Sequence, residues 1–506
     1  MLKINSLTIE RLNGDLLVKD LSLVVNKEDR LAIIGEEGNG KSTLLKALVG
    51  VSIADYATVK GSINADNERI SYLKQALSQE ELAMGVLDYF KKSENFWEKN
   101  SDFYHLLSYF GLSKEAIDDN RILRSFSGGE RIKLQIIFLL LQEPTLLVLD
   151  EPTNDLDLKT LIWLEKFIND FKGAVIYVSH DETLLENTAT SILHLELLKS
   201  KKEAKHTYAK LGYRDYVEQR QLAFDKQNRI AQMDLKKKKE KEEVLRKLHS
   251  RVEHELNQAV REPSLGRLLA KKMRNIKAQE KRLQNSEVHE KAISEEQINI
   301  FFDNEEKIPP KKKIVEYVNI GMSIGEKKLC DFVSLSIYGP EKVVIIGDNG
   351  AGKTTLLYNL LKVLSYTPGL IVAYMPQDYD EILPNELTPI EYLKAMVGNE
   401  REDITRIHNY LGCCRFLEEE MGSKIANLSG GQKAKLALIG LVLSCANVLV
   451  LDEPTRNFSP LSGPVVREII KNYKGAVISV SHDRKYIEEV ADSIYELTPT
   501  ELKKIL

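Results

Sequence analysis

The chain has 506 residues, 43% of them apolar, with 71 Lys/Arg against 75 Asp/Glu for a net charge of −4; that is room for two or three domains with ordinary cores. No run approaches roughly 18 consecutive apolar residues, so no membrane-spanning helix is expected, and the opening MLKINSLTIERLNGDL has neither the apolar stretch nor the cleavage site of a secretory signal. Cys330, Cys413, Cys414 and Cys445 fit neither a disulfide framework nor CxxC zinc spacing, and these features together point to the cytoplasm.

In chain order, the first strong pattern is a short apolar run, LAIIG, feeding Gly35-Glu36-Glu37-Gly38-Asn39-Gly40-Lys41-Ser42-Thr43 and then a helical stretch. This fits the phosphate-loop pattern. Its glycines let several backbone N–H groups face one anion, and the helix aims its positive end at the same place. Lys41 would bring a full charge to the β- and γ-phosphates of ATP, and the Ser42 hydroxyl would ligate Mg²⁺. Gln75 ends the strand-like stretch RISYLKQ, where it could reach metal or water. From there to Ser127 the pattern is helical, room for a small subdomain. Ser127-Gly128-Gly129 opens another helix; alone it would be an ordinary N-cap, but it also makes an anion site. The buried-type strand LLVLD ends on Asp150, placed to hold Mg²⁺, with Glu151 next in line to polarise the attacking water. The strand AVIYVS leads to His180, placed to contact the γ-phosphate or orient that water.

Residues 222–290 are of another kind, rich in Lys, Glu, Gln and Leu. Apolar residues step by three or four along Leu245, Leu248, Val252 and Leu256, and again along Leu265, Leu269, Met273, Ile276 and Leu283. Between the two series lies Glu262-Pro263-Ser264-Leu265-Gly266, read as a turn. The spacing predicts two long helices folded into an antiparallel hairpin. From 226 to 290 there are 18 Lys/Arg and 10 Asp/Glu, an excess of eight positive charges in a chain whose net charge is −4. A polar linker with Pro309-Pro310 follows.

From about residue 314 the first pattern recurs. Its landmarks are Gly347-Asp348-Asn349-Gly350-Ala351-Gly352-Lys353-Thr354-Thr355, Gln377, Ser429-Gly430-Gly431, Asp452, Glu453 and His482. Gln75, Ser127, Asp150 and His180 each lie 302 residues before their copies, whereas Lys41 and Lys353 are 312 apart, so the first copy has ten extra residues between its phosphate loop and Gln75. A constant offset over separated motifs means a duplicated domain. The candidate Mg²⁺ ligands are Ser42, Gln75 and Asp150 in one copy and Thr354, Gln377 and Asp452 in the other. The expected fold is α/β: nucleotide-binding domains at 1–221 and 314–506, a helical arm at 222–300 and a linker at 301–313.

The order phosphate loop, Gln, SGG, Asp-Glu, His in each half resembles the ATP-binding cassette superfamily. Two ABC-type cassettes joined by a charged α-helical hairpin, with no membrane segment, are similar to the ABC-F family of ribosome-associated ATPases; the likeness covers nearly the whole chain. It implies an ATP hydrolase in which the cassettes of one monomer close head to tail on two ATP molecules, Ser429 completing the site of Lys41 and Ser127 that of Lys353. It further implies an arm that reaches through the ribosomal tRNA exit site toward the peptidyl-transferase centre. The partners would be large-subunit rRNA and P-site tRNA, not DNA, with Arg261, Glu262, Pro263, Ser264, Leu265, Gly266 and Arg267 at the arm's tip. After Glu-Pro-Thr the first cassette reads Asn154-Asp155-Leu156-Asp157, but the second reads Arg456-Asn457-Phe458-Ser459-Pro460. That departure, with the run GRLLAKKMRNIKAQEKRL, is similar to the branch that protects ribosomes against lincosamides, streptogramin A and pleuromutilins, and it implies two ATP sites of unequal rate. No aromatic residue upstream of either phosphate loop is placed to stack adenine, which implies loose base selectivity. The alternatives are a housekeeping translation factor of the same family or the ATPase subunit of a transporter; the charged arm argues against the latter.

Overall fold

The structure is a computed structural model. It describes the chain apart from residues 67, 94–95, 97–99, 114–120, 199–202, 259–262, 285–297, 299, 303–307, 326 and 398–400, and apart from the side chains of 100–101, 258, 263–266, 327 and 401–402. The chain forms two compact units, Met1–Tyr213 together with Glu295–Leu506, and Arg214–Ser294.

The apolar runs of the first half become a sheet buried on both faces. Its strands are β3 (Arg30–Ile34), β5 (Ile70–Leu73), β6 (Leu146–Asp150), β7 (Ala174–Val178), β8 (Ser191–Leu197) and β9 (Glu203–Ala209), in the order β5-β6-β7-β3-β8-β9. All pairings are parallel except β8 with β9. Continuous Val, Leu and Ile runs suit this placement, because helices cover both faces of a parallel sheet. Beside it, β1 (Leu2–Arg11), β2 (Leu16–Val25) and β4 (Ala57–Asn64) form an antiparallel sheet in the order β2-β1-β4. The second half repeats the plan. Strands β12 (Lys342–Ile346), β13 (Val372–Met375), β14 (Val448–Asp452), β15 (Ala476–Val480), β16 (Ser493–Leu497) and β17 (Leu502–Lys504) lie in the order β13-β14-β15-β12-β16-β17, with β10 (Lys313–Ile324) and β11 (Lys327–Tyr338) paired beside them. Among the described residues β4 has no counterpart there, and it lies between Lys41 and Gln75, where the first copy has its ten extra residues.

The charged segment is helical as its spacing predicts. Tyr213–Gln258 is one helix of 46 residues, roughly 70 Å at 1.5 Å per residue, and Pro263–Gln284 is the second. Val252, Leu269 and Ile276 are buried between them, packed by Leu245, Leu256 and Met273. His249 reaches Glu280 at 2.9 Å. This unit spans 214–294, beside the expected 222–300. Of the expected tip, Arg261 and Glu262 lie outside the described residues. Pro263–Gly266 form the first turn of the second helix rather than a loop; proline's fixed φ and missing N–H suit a first helical position. Arg267 is exposed. The end of the expected arm belongs to the second cassette, where Ile298 and Ile300 enter a core, and at the start of the expected linker the Phe302 ring lies 4.6 Å from that of Tyr473.

Candidate functional site

Strands β3 and β12 deliver the chain into the two glycine loops, and helices begin at Lys41 and Lys353. Gly40 and Gly352 stand at φ 86° and 98°, where a side chain would be strained. Each lysine folds over its own loop. Lys41 Nζ donates to the carbonyls of Gly35 (2.8 Å) and Glu36 (3.0 Å), and Lys353 Nζ to those of Gly347 (2.9 Å) and Asp348 (3.0 Å). Burial pulls both ammonium groups below the usual lysine value, while nearby carboxylates oppose it.

Asp150 and Asp452 end β6 and β14 beside these loops. The Ser42 hydroxyl donates to Asp150 Oδ1 at 2.9 Å, and Thr354 donates to Asp452 Oδ2 at 2.8 Å. Burial pushes both aspartates above their ordinary value. A hydroxyl and a carboxylate side by side suit Mg²⁺, which takes few protein oxygens and completes its shell with water and phosphate. Gln377 lines the same cavity as Thr354 and Asp452; Gln75 follows β5 and is exposed.

The next residues turn sharply: Glu151 and Glu453 have φ 50° and 52°. Their N–H groups bond to Val178 and Val480 on the neighbouring strands, at 3.1 and 3.0 Å. From here the sites diverge. His180 Nε2 lies 2.9 Å from Glu151. Burial opposes ionisation of Glu151, but His180 and Lys41 prevail and hold it below the usual range. His482 Nε2 is 4.0 Å from Glu453, and both its ring nitrogens are buried without a hydrogen-bond partner. Burial pushes Glu453 up to about 8, and burial with the nearby Lys353 charge pulls His482 down to about 4.

Both glycine loops face the opposite cassette. A cavity of about 550 Å³ is lined by Lys353 and Thr354 of the second cassette together with Gly128 and Asp155 of the first. Another, of about 720 Å³, joins Gly38 and Asn39 to Ser429 and Gln432. Ser127 and Ser429 are N-caps whose hydroxyls accept the N–H of Glu130 and Gln432. Gly128 is required by close approach, since a Cβ there would stand 2.5 Å from the Asp155 carbonyl. Around the first loop, Glu36 is gripped by Lys435 (2.9 Å), Ser459 (2.7 Å) and Ser462 (2.7 Å), and Glu37 accepts the Gly431 N–H. Burial opposes the Glu36 charge, yet Lys435 and the two hydroxyls keep its carboxyl below the usual range. Around the second loop the partners differ: Lys159 pairs with Asp348 at 2.9 Å, and Asn349 donates to the Asp155 carbonyl at 2.6 Å.

Several of these residues carry no motif. Tyr72, which donates to Asp150 at 3.1 Å, could have been found from its copy Tyr374 at the 302 offset. Lys435, Ser459 and Ser462 meet Glu36 only through the pairing of the cassettes. Among the described residues no helix is long and apolar enough to cross a membrane.

A family model described as ABC transporter matches residues 18–154 and 330–456. ATP-binding protein Uup of Buchnera aphidicola subsp. Schizaphis graminum is 30% identical over 498 residues, covering 95% of this chain and 78% of that protein. ABC transporter F family member 5 of Arabidopsis thaliana is 27% identical over 537 residues, covering 96% and 73%. Among solved structures, RNase-L Inhibitor shares the fold at a TM-score of 0.63 and 18% identity, over 98% of this chain and 90% of that one. With about half its residues matched by that model and a 30% identical relative spanning nearly all of it, the chain belongs to the ABC transporter ATP-binding family, as two ATP-hydrolysing cassettes in one polypeptide with homologues among the family's F members.

Proposed function

We propose that this chain is a cytoplasmic, ribosome-binding ABC-F ATPase of the kind that protects the peptidyl-transferase centre from antibiotics. The observation that carries the reading is the arm: two helices inserted between the cassettes, with Lys271, Lys272, Arg274, Lys277, Lys281 and Arg282 all exposed on the returning one. Such a surface suits the phosphates of rRNA and tRNA, in a salt-sensitive mode. Each cassette binds one ATP, the glycine loop and Lys41 or Lys353 holding its phosphates while the opposite SGG helix closes over the γ-phosphate. Mg²⁺, held by Ser42 and Asp150 or by Thr354 and Asp452, neutralises phosphate charge when bound. Glu151, and Glu453 when ionised, takes the proton of the attacking water, and His180 and His482 orient it. The closed cassettes seat the arm, and hydrolysis releases it.

A susceptibility test in a Gram-positive host with clindamycin, a pleuromutilin and virginiamycin M decides the finer part. Raised inhibitory concentrations with the wild type, but not with Glu151→Gln/Glu453→Gln, support protection. No change with either, together with retention of the double variant on pelleted ribosomes, points instead to a translation factor acting without any drug. Absence from the ribosome pellet removes the ribosomal reading altogether.

A further inference from the structure

Two helices of each cassette meet where the halves face each other: Leu158–Asp170 and Glu182–Thr188 from the first, Gly463–Lys471 and Arg484–Val490 from the second. They are copies of one another at the 302-residue offset, so Glu165 corresponds to Arg467 and Glu182 to Arg484. A duplicated interface should bring each position against the other twice. It does, but with the charges inverted between the copies. Arg467 makes a two-point contact with Glu182, at 2.6 and 3.1 Å. The mirror contact is Arg484 with Glu165. Lys485 adds Glu186 at 2.9 Å, and Arg484 also reaches Asp181 at 3.4 Å. Three of the side chains are largely withdrawn from water and the fourth is part-buried: Arg467 is 3% exposed, Glu182 10%, Glu165 12% and Arg484 21%.

The inversion extends to the residue that supports each charge from within its own cassette. Asn187 donates to Glu165 at 3.1 Å, while its copy Glu489 accepts from Arg467 at 2.8 Å. Other acids of the second cassette here are Glu468, next to Arg467 on its helix, Asp483, 3.9 Å from Arg467, and Glu488, the copy of Glu186. The first cassette offers carboxylates at both positions of the contact, and the second offers arginines at both.

We propose that this inverted set of charges is a pairing code: it makes the first cassette a partner for the second and for no second copy of itself. Two first cassettes brought together this way would set Glu165 against Glu182 twice. Two second cassettes would set Arg467 against Arg484 twice. Like charges stripped of water repel strongly, and an arginine left without its carboxylate keeps the full cost of burial. The surface therefore selects one occupant, the opposite cassette, which the same chain supplies. The code rests on the cassette pairing described above and not on the ribosomal reading, so it is tested without ribosomes.

The test is a charge exchange in the purified full-length chain. Glu165→Arg/Glu182→Arg makes all four positions basic, Arg467→Glu/Arg484→Glu makes all four acidic, and combining them, with the supports exchanged as Asn187→Glu/Glu489→Asn, restores opposite charges with the polarity reversed. ATP hydrolysis is read alongside thermal melting and binding of a fluorescent ATP analogue. Each half-exchange is expected to lower turnover at least tenfold, and the full exchange to recover most of it. The full exchange decides even if a half-exchange fails to fold. A full exchange no more active than the half-exchanges, or half-exchanges that turn over like the wild type, would overturn the code.

Discussion

His180 Nδ1 sits 2.8 Å from the carbonyl oxygen of Phe458, a residue of the other cassette 278 positions away. A carbonyl only accepts, so this nitrogen carries a proton, and the other ring nitrogen faces the Glu151 carboxylate. The divergent Arg456–Pro460 loop thus fixes the ring that fixes Glu151. At the copied position, His482 has no such bond. The two ATP sites differ at this contact, and the loop that supplies it to His180 is the one that sets the second cassette apart in sequence.

Unequal sites should show unequal responses. Glu151, held ionised, is a ready base, whereas Glu453 at about 8 is mostly protonated at neutral pH. At pH 7, Glu151→Gln should cut steady-state hydrolysis about a hundredfold or more. Glu453→Gln, which mimics the protonated acid, should cost less than about tenfold. The cost of Glu453→Gln should grow as the pH rises through 8, because the wild type then gains a base that the variant lacks. Equal losses from the two single variants at all pH values would refute this. The double variant should retain ATP while losing turnover.

Burial keeps the His482 ring neutral, with its folded value near 4. Folding is then favoured with the ring uncharged. Stability contributed in this way is complete above the unfolded value of about 6.5, declines as the pH falls toward 4, and is fully lost below it, a few kcal/mol in all. An NMR titration of the ATP-free protein should find the His482 ring still neutral at pH 5.5. A midpoint near 6.5 would sink the prediction.

The order of elements, both glycine loops and the strand-end carboxylates were legible because each is a local pattern repeated at one offset. Lys435, Ser459 and Ser462 were not, since nothing near them in sequence signals a carboxylate some 400 residues upstream. The helix Tyr213–Gln258 starts nine residues before the expected arm, because the helical step of Tyr213, Tyr216 and Val217 precedes the charged composition by which the arm was read. The turn read through Gly266 was misplaced because Pro and Gly mark a helix start as readily as a loop.

Glu36 and Lys435 are both largely buried, with side-chain exposures of 14% and 10%. Lys435→Met should leave a buried carboxylate facing only hydroxyls and cost about 3 kcal/mol. Adding Glu36→Gln should recover part of the loss. Calorimetric melting of the single and double variants checks this, and strictly additive losses would mean that the pair does not interact.

The Tyr213 hydroxyl donates to the Pro460 carbonyl at 3.0 Å in a buried setting. Tyr213 is also the last residue before the arm unit. Tyr213→Phe should cost about 1 kcal/mol in a denaturant melt. It should also weaken the dependence of ribosome retention on ATP in the Glu151→Gln/Glu453→Gln background. Unchanged retention would mean that the arm's root is insensitive to the Arg456–Pro460 loop.

The inverted charges at Glu165, Glu182, Arg467 and Arg484 also bear on the chain's history. Duplicated halves of a gene tend to be homogenised when recombination copies one over the other. Here either direction of copying would set like charges against each other across the paired helices. Four side chains thereby make the two halves non-interchangeable, so that neither could be replaced by a copy of the other.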